Sequence, residues 1–144
     1  MMGLTRKTEY AIRGMLYLAE RPEGEVVMLD TIAGAVGAPR PFLAKILQSL
    51  AGKGLVRSAR GARGGFLLAR PAALISLCQI VEAVEGPIVP NGCLMDSGAC
   101  PRMETCTVHP VWRRLQAVTR GILEEATLKT LVSDRGLRTD TVRE

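Results

Sequence analysis

Aromatic side chains are scarce, at 3% of 144 residues, and His109 is the single histidine. Reading single-stranded RNA by stacking bases on rings is therefore disfavoured, since Phe42 and Phe66 are the only rings in the chain's basic stretch. With one histidine and no acid/base set, no enzymatic activity and no small-molecule substrate are expected. Carboxylates are absent between Asp30 and Glu82, while Arg40, Lys45, Lys53, Arg57, Arg60, Arg63 and Arg70 all fall there. No apolar run is long enough to span a bilayer, and the opening Met-Met-Gly-Leu-Thr-Arg-Lys lacks the apolar core of a secretory signal. A cytoplasmic protein without a membrane partner is expected.

The charge that is present is polarised. Up to Arg70 there are eleven Lys/Arg against five Asp/Glu; from Pro71 onward there are eight against nine. A surface of one sign over one half of a chain points to a polyanion, and double-stranded DNA is the expected partner.

The local pattern says how it would be held. Ala11, Ile12, Met15, Leu16 and Ala19 recur at helical spacing from Leu4 to Ala19, and Arg21-Pro22-Glu23-Gly24 ends the run. Asp30 is expected to cap a second helix that buries Ile32, Ala33 and Val36 and stops at Gly37. Ala38-Pro39-Arg40-Pro41 enforces a turn, and a third helix starts with Pro41 in its first turn, burying Leu43, Ile46, Leu47 and Leu50. Its outer face carries Arg40, Ala44, Lys45 and Gln48, short or cationic groups that suit a major groove. This is a helix-turn-helix pattern. Two short strands, Gly54 to Arg60 and Phe66 to Ala69, flank Gly61-Ala62-Arg63-Gly64-Gly65 and predict a hairpin wing. A nucleotide-phosphate loop would need Lys-Ser/Thr and a helix after the glycines, and neither follows.

Past Pro71, Ser76 and Gln79 predict a capping box on a helix with Leu77, Ile80, Val81 and Val84 inward, ended by Gly86-Pro87. Cys78 in that helix reads as a buried small hydrophobe. The other three cysteines, Cys93, Cys100 and Cys106, stand with His109 in the spacing C-x6-C-x5-C-x2-H on a Gly/Pro-rich loop. Soft donors on a loop suit an iron-sulfur cluster or zinc, and oxidative pairing of two thiols is a further way such a loop could switch. His109, held before Pro110, is a candidate ligand or a helix cap. Val111, Leu115, Val118 and Ile122 then repeat at the spacing of a helix seam, with Trp112 beside them. Such a helix has little to bury against in its own chain and is expected to pair with its twin. The expected fold is mainly α with a small β-hairpin wing: a winged helix-turn-helix over residues 1–71, then a helix, cysteine loop and long dimerisation helix over 72–132. A flexible tail is expected over 133–144.

Leu4-Thr5 with Tyr10-Ala11, the wing from Gly54-Leu55-Val56-Arg57-Ser58-Ala59-Arg60-Gly61 through Gly64-Gly65, and the triple cysteine before a Trp-bearing helix are the most specific marks. From Leu4 to about Val132 the chain resembles the Rrf-type winged-helix transcription regulators, in particular their IscR-like and NsrR-like branches. The resemblance implies a homodimeric DNA-binding regulator, expected to repress, that carries one iron-sulfur cluster (2Fe-2S or 4Fe-4S) per subunit and senses nitric oxide, redox state or iron and cluster supply. Cys93, Cys100 and Cys106 match the three thiolate ligands, and His109 matches the histidine that completes a 2Fe-2S site in the IscR-like branch. Glu9 falls where the NsrR-like branch has an acidic ligand to a 4Fe-4S cluster from the partner subunit. Both fourth ligands stay open, as does Glu9 as an ion-pair partner of Arg6 or Arg13. A zinc-stabilised or purely thiol-redox DNA-binding regulator is the alternative to a cluster. Ala44 stands where the IscR-like branch has an acidic recognition-helix residue, so a cluster-dependent choice between DNA sites is not expected. A palindromic promoter operator would be contacted by Thr5, Arg6 and Lys7 on helix one, by Arg40, Pro41, Lys45 and Gln48 on the recognition helix, and by Arg57, Arg60, Arg63 and Gly64 in the wing.

Overall fold

The computed structural model describes residues 4–61, 64–94, 101–102 and 104–134. Helix α1, Arg6–Ala19, starts after Thr5, whose hydroxyl accepts the backbone N–H of Thr8 at 3.4 Å. Ala11, Met15 and Leu18 bury its inner face. Helix α2, Leu29–Val36, ends on Gly37 at φ 76°, the left-handed conformation expected of glycine at a helix end. Asp30 does not cap it. Met28 holds the cap position without a side-chain bond, and Asp30 lies in the first turn, where its carboxylate meets Nε of Arg40 at 2.5 Å. The cap moves back because Val27 is held in extended pairing with Phe66, which delivers Met28 already at ψ 145°.

Helix α3, Arg40–Gly52, has Pro41 in its first turn and buries Leu43, Ile46, Leu47 and Leu50 completely. Strands β1, Val56–Ala59, and β2, Gly65–Leu68, pair antiparallel in the register Val56 to Leu68 and Ala59 to Gly65. Val27 pairs with β2 as an isolated bridge: its N–H donates to the Phe66 carbonyl at 2.9 Å, and the Phe66 N–H donates to the Val27 carbonyl at 2.8 Å. Gly65 permits this approach, since a Cβ there would stand 2.2 Å from the Val27 carbonyl oxygen. The hairpin is thereby fixed to the helical body, and the three helices with this wing form a winged helix-turn-helix.

Helix α4, Leu77–Glu85, carries the predicted capping box: Ser76 Oγ accepts the Gln79 N–H at 3.2 Å and Gln79 Oε1 accepts the Ser76 N–H at 2.9 Å. Its buried residues are Cys78, Ile80 and Val81, with Leu77 and Val84 half-buried. Helix α5, His109–Glu125, lies along α4, where Leu123 meets Cys78, Val81 and Ile88, and Gln116 Nε2 donates to the Ile88 carbonyl at 3.0 Å. Arg120 ion-pairs with Glu82 on α4 and with Glu124 at 3.1 Å. None of the α5 residues is fully buried.

The chain then turns back. Ala126 accepts the Leu77 N–H at 2.7 Å, and the Leu128 N–H donates to the Ile75 carbonyl at 2.9 Å. Helix α6, 128–134, follows, with Thr127 Oγ1 accepting the Thr130 N–H at 3.2 Å. Leu128 joins the main core at 0% exposure. Helix therefore runs through Ser133 and Asp134, where a loose tail was expected; the rest of that tail lies outside the described residues. No helix among the described residues is long and apolar enough to cross a membrane.

Candidate functional site

Two surfaces carry the chemistry. On the first, Arg40, Pro41, Lys45 and Gln48 are exposed along one face of α3, opposite its fully buried side. Arg57 and Arg60 project from the wing beside them in sequence and are likewise exposed, while Arg63 lies outside the described residues. Gly64 is tightly enclosed, since a Cβ there would stand 2.9 Å from the Ala59 carbonyl oxygen. Gly64 and Gly65 are thus explained by backbone packing, a reason the sequence pattern did not separate from close approach to a phosphate.

Arg6 is exposed and Lys7 half-buried at the head of α1. Thr5 is committed internally: besides capping α1 it donates to Oε1 of Glu85, and the fully buried Thr8 hydroxyl donates to the same oxygen. The Thr5 hydrogen bond, followed by that of Thr8, holds the Glu85 carboxyl below the usual carboxylate range, with the Lys7 charge assisting and burial opposing. This knot was not visible in the sequence, because its members are about eighty residues apart.

The second surface is the cysteine loop. Cys93 sits in a short turn, Gly92–Leu94, and its Sγ stands 3.6 Å from His109 Nδ1. Both are half-buried, as is Cys106. Cys100 lies outside the described residues, and among those described no three His, Cys, Asp or Glu side chains gather closely enough to hold a metal. The observed pair nevertheless fits a ligand role. A thiolate sulfur at about 2.3 Å and an imidazole nitrogen at about 2.0–2.1 Å from one tetrahedral metal stand about 3.6 Å apart.

His109 is not the cap of α5. Val108 holds that position without a side-chain bond, and His109 is the first helical residue, with Pro110 following in the first turn. The bias of a pre-proline residue away from helix is overridden here by a continuous first turn, in which the Val111 and Trp112 N–H groups both donate to the Val108 carbonyl. Glu9 is exposed in the first turn of α1 and takes part in no ion pair with Arg6 or Arg13. Cys78 is 2% exposed, and burial raises its thiol pKa, with Arg120 opposing and Glu124 adding to the rise. It is an inert core residue, as its apolar setting predicted.

From the head of α5, Val108, Val111, Leu115, Val118 and Ile122 form an exposed stripe, 44%, 57%, 39%, 53% and 63% accessible. At 100° per residue they fall within an arc of about 80°. The far side of the same helix is the one that meets α4.

A family profile described as Rrf2, iron-dependent transcriptional regulator, matches residues 4–134. The chain belongs to the Rrf2 family. As an Rrf2 transcriptional regulator it is 33% identical over 134 residues to IscR of Escherichia coli K12, covering 93% of this chain and 82% of that protein. It is 41% identical over 132 residues to Rv1287 of Mycobacterium tuberculosis, a candidate HTH-type transcriptional regulator, covering 88% and 79%. Among solved structures, CymR, the global cysteine regulator of B. subtilis, superposes with a TM-score of 0.73 at 28% identity, over 92% of this chain and 98% of that one. IscR of T. potens does so with the same TM-score at 26% identity, over 93% and 88%. The Rrf2 winged helix expected from the sequence is therefore the fold of this chain.

Proposed function

We propose that this Rrf2 regulator is a homodimeric repressor that binds a palindromic promoter operator and carries one iron-sulfur cluster, 2Fe-2S or 4Fe-4S, in each subunit. The observation that carries the reading is the Cys93–His109 pair, 3.6 Å apart at the head of the helix whose free face is the apolar stripe. Cys93, Cys100 and Cys106 would hold the cluster as thiolates, with His109 or Glu9 of the partner subunit as the fourth ligand. When bound, the cluster supplies iron that reacts with nitric oxide and responds to redox state and iron supply. The unpaired N–H groups at the start of α5 favour the negative charge of thiolates gathered there.

The chain offers a route from this loop to the DNA face. Ile88, five residues before Cys93, is tied to α5 by Gln116, and Glu85, three residues earlier still, clasps Thr5 and Thr8 at the head of α1. A change of loop shape acts on both attachments. In a dimer joined through α5, the two α3 helices would enter successive major grooves about 34 Å apart. Arg40, Lys45 and Gln48 would face the bases, while the wing and the head of α1 face phosphates.

The test is chemical analysis of protein isolated without oxygen, together with its visible absorption and electron-spin spectra during titration with nitric oxide. Iron and sulfide near one cluster per chain, and at least several-fold different DNA affinity with and without the cluster at fixed salt, are expected. Zinc without sulfide would make the loop a structural metal knuckle. Protein free of metal would leave the thiols as the only switch.

A further inference from the structure

Phe42 is the only large apolar side chain of α3 left exposed, at 38%. It lies in the first turn of the recognition helix, with exposed Arg40, Pro41 and Lys45 around it. Its ring meets that of Tyr10 on α1 edge to face, with centroids 5.8 Å apart and planes at 81°. That contact fixes the ring's direction without covering it. The ring thus sits in the seam between two elements that both present cations; α3 lies in a stretch with no carboxylate from residue 31 to residue 81, while α1 carries exposed Glu9 in its first turn. The nearest carboxylate in sequence, Asp30, is already taken by Arg40.

An exposed ring on a cationic face has a specific counterpart in duplex DNA. The major groove offers one apolar group, the C5 methyl of thymine, and it is carried on a polyanion. The N-terminal residues of a recognition helix are those that reach base edges. α3 also has no carboxylate to accept a hydrogen bond from cytosine N4, and its outer Arg40 and Lys45 are donors, so its outer face favours thymine contact and purine acceptors over cytosine.

We propose that Phe42 is a specificity-determining residue that packs on a thymine methyl group in each operator half-site. The assignment rests on the DNA-binding reading above. It differs from a packing role in that its effect must depend on one methyl group of the DNA.

The experiment selects a bound duplex from a random library with the full-length, anaerobically isolated protein, then replaces each thymine singly by deoxyuridine, which removes the methyl and nothing else. Affinity is measured for the natural chain, Phe42→Ala and Phe42→Leu, with a non-specific duplex as the control for folding. At one thymine per half-site, methyl removal should weaken the natural chain about fourfold, the value of one buried methyl. Phe42→Ala should respond less than 1.5-fold at that position, Phe42→Leu should keep part of the response, and all three should bind the non-specific duplex alike. Equal sensitivity of the natural chain and Phe42→Ala at every thymine overturns the assignment. So does loss of dimer in Phe42→Ala with unchanged methyl dependence, which would give the ring to a protein contact. Failure to enrich any duplex overturns the DNA-binding reading itself, and the assignment with it.

Discussion

Replacing Val118 by lysine tests the proposed dimer directly, because the side chain is 53% exposed on the apolar stripe of α5. Across Val108, Val111, Leu115, Val118 and Ile122 the exposed fractions amount to about two and a half complete side chains per protomer. At roughly 2 kcal/mol for each complete apolar side chain buried, two such stripes would contribute about 10 kcal/mol on pairing. Association itself costs roughly 4–15 kcal/mol, so the proposed dimer would depend on nearly all of the stripe. Val118, at 53% exposure, accounts for about 1 kcal/mol per protomer. Val118→Ala should then raise the dimer dissociation constant about 30-fold at most. Val118→Lys loses the same area and, because a two-fold interface brings a residue near its own copy, also sets two ammonium groups against apolar neighbours. That penalty of several kcal/mol takes the total to about 4 kcal/mol or more, about a thousandfold in dissociation constant. Sedimentation equilibrium over a concentration series reads both values, and the far-ultraviolet melt of the monomeric variant checks that the fold survives. A Val118→Lys chain that dimerises within threefold of the natural one would refute the assignment of this stripe.

Gly65→Ala should destabilise the chain by about 2–4 kcal/mol in urea unfolding, since a Cβ 2.2 Å from the Val27 carbonyl oxygen must break the pair of hydrogen bonds that docks the wing. Gly34→Ala, in the middle of α2 with nothing within 4 Å, should instead stabilise by roughly 0.5–1 kcal/mol. Glu85→Gln should cost about 1 kcal/mol at neutral pH, a figure kept small because the carboxylate is largely solvent-exposed. Its folded pKa is depressed, so that contribution is complete above the unfolded carboxylate range and disappears as pH falls through the lower folded value. Unfolding curves of the two proteins should therefore converge in acid; a difference that grows as pH falls would contradict the hydrogen-bonding scheme.

What could be read from the sequence was local. The Ser76–Gln79 box, Gly37 at a left-handed helix end, Pro41 in a first turn and the 3.6-residue recurrence of Leu43, Ile46, Leu47 and Leu50 each depend on residues within one or two turns. What could not be read was set at a distance. Met28 takes the cap position of α2 from Asp30 because Val27 pairs with Phe66, about forty residues away. Leu128 is buried where its backbone bonds to Ile75, and the short helix it opens runs on into Ser133 and Asp134, the first two residues of the expected tail. Thr5, an expected phosphate contact, stays exposed but donates its hydroxyl to a carboxylate on α4.

The same division governs the fourth ligand. The sequence left both His109 and Glu9 open, because imidazole and carboxylate both hold iron. Among the described residues His109 is brought to a cysteine: its Nδ1 stands 3.6 Å from Cys93 Sγ, and it is the first residue of the helix bearing the apolar stripe. Glu9 lies exposed on α1 and, in the proposed dimer, would reach the partner subunit's cluster. Substitution of each therefore separates intrachain from interchain ligation. If the proposed cluster is bound, His109→Ala should alter its spectrum in dimer and monomer alike. A Glu9→Ala effect should vanish in the Val118→Lys background, where no second subunit is present.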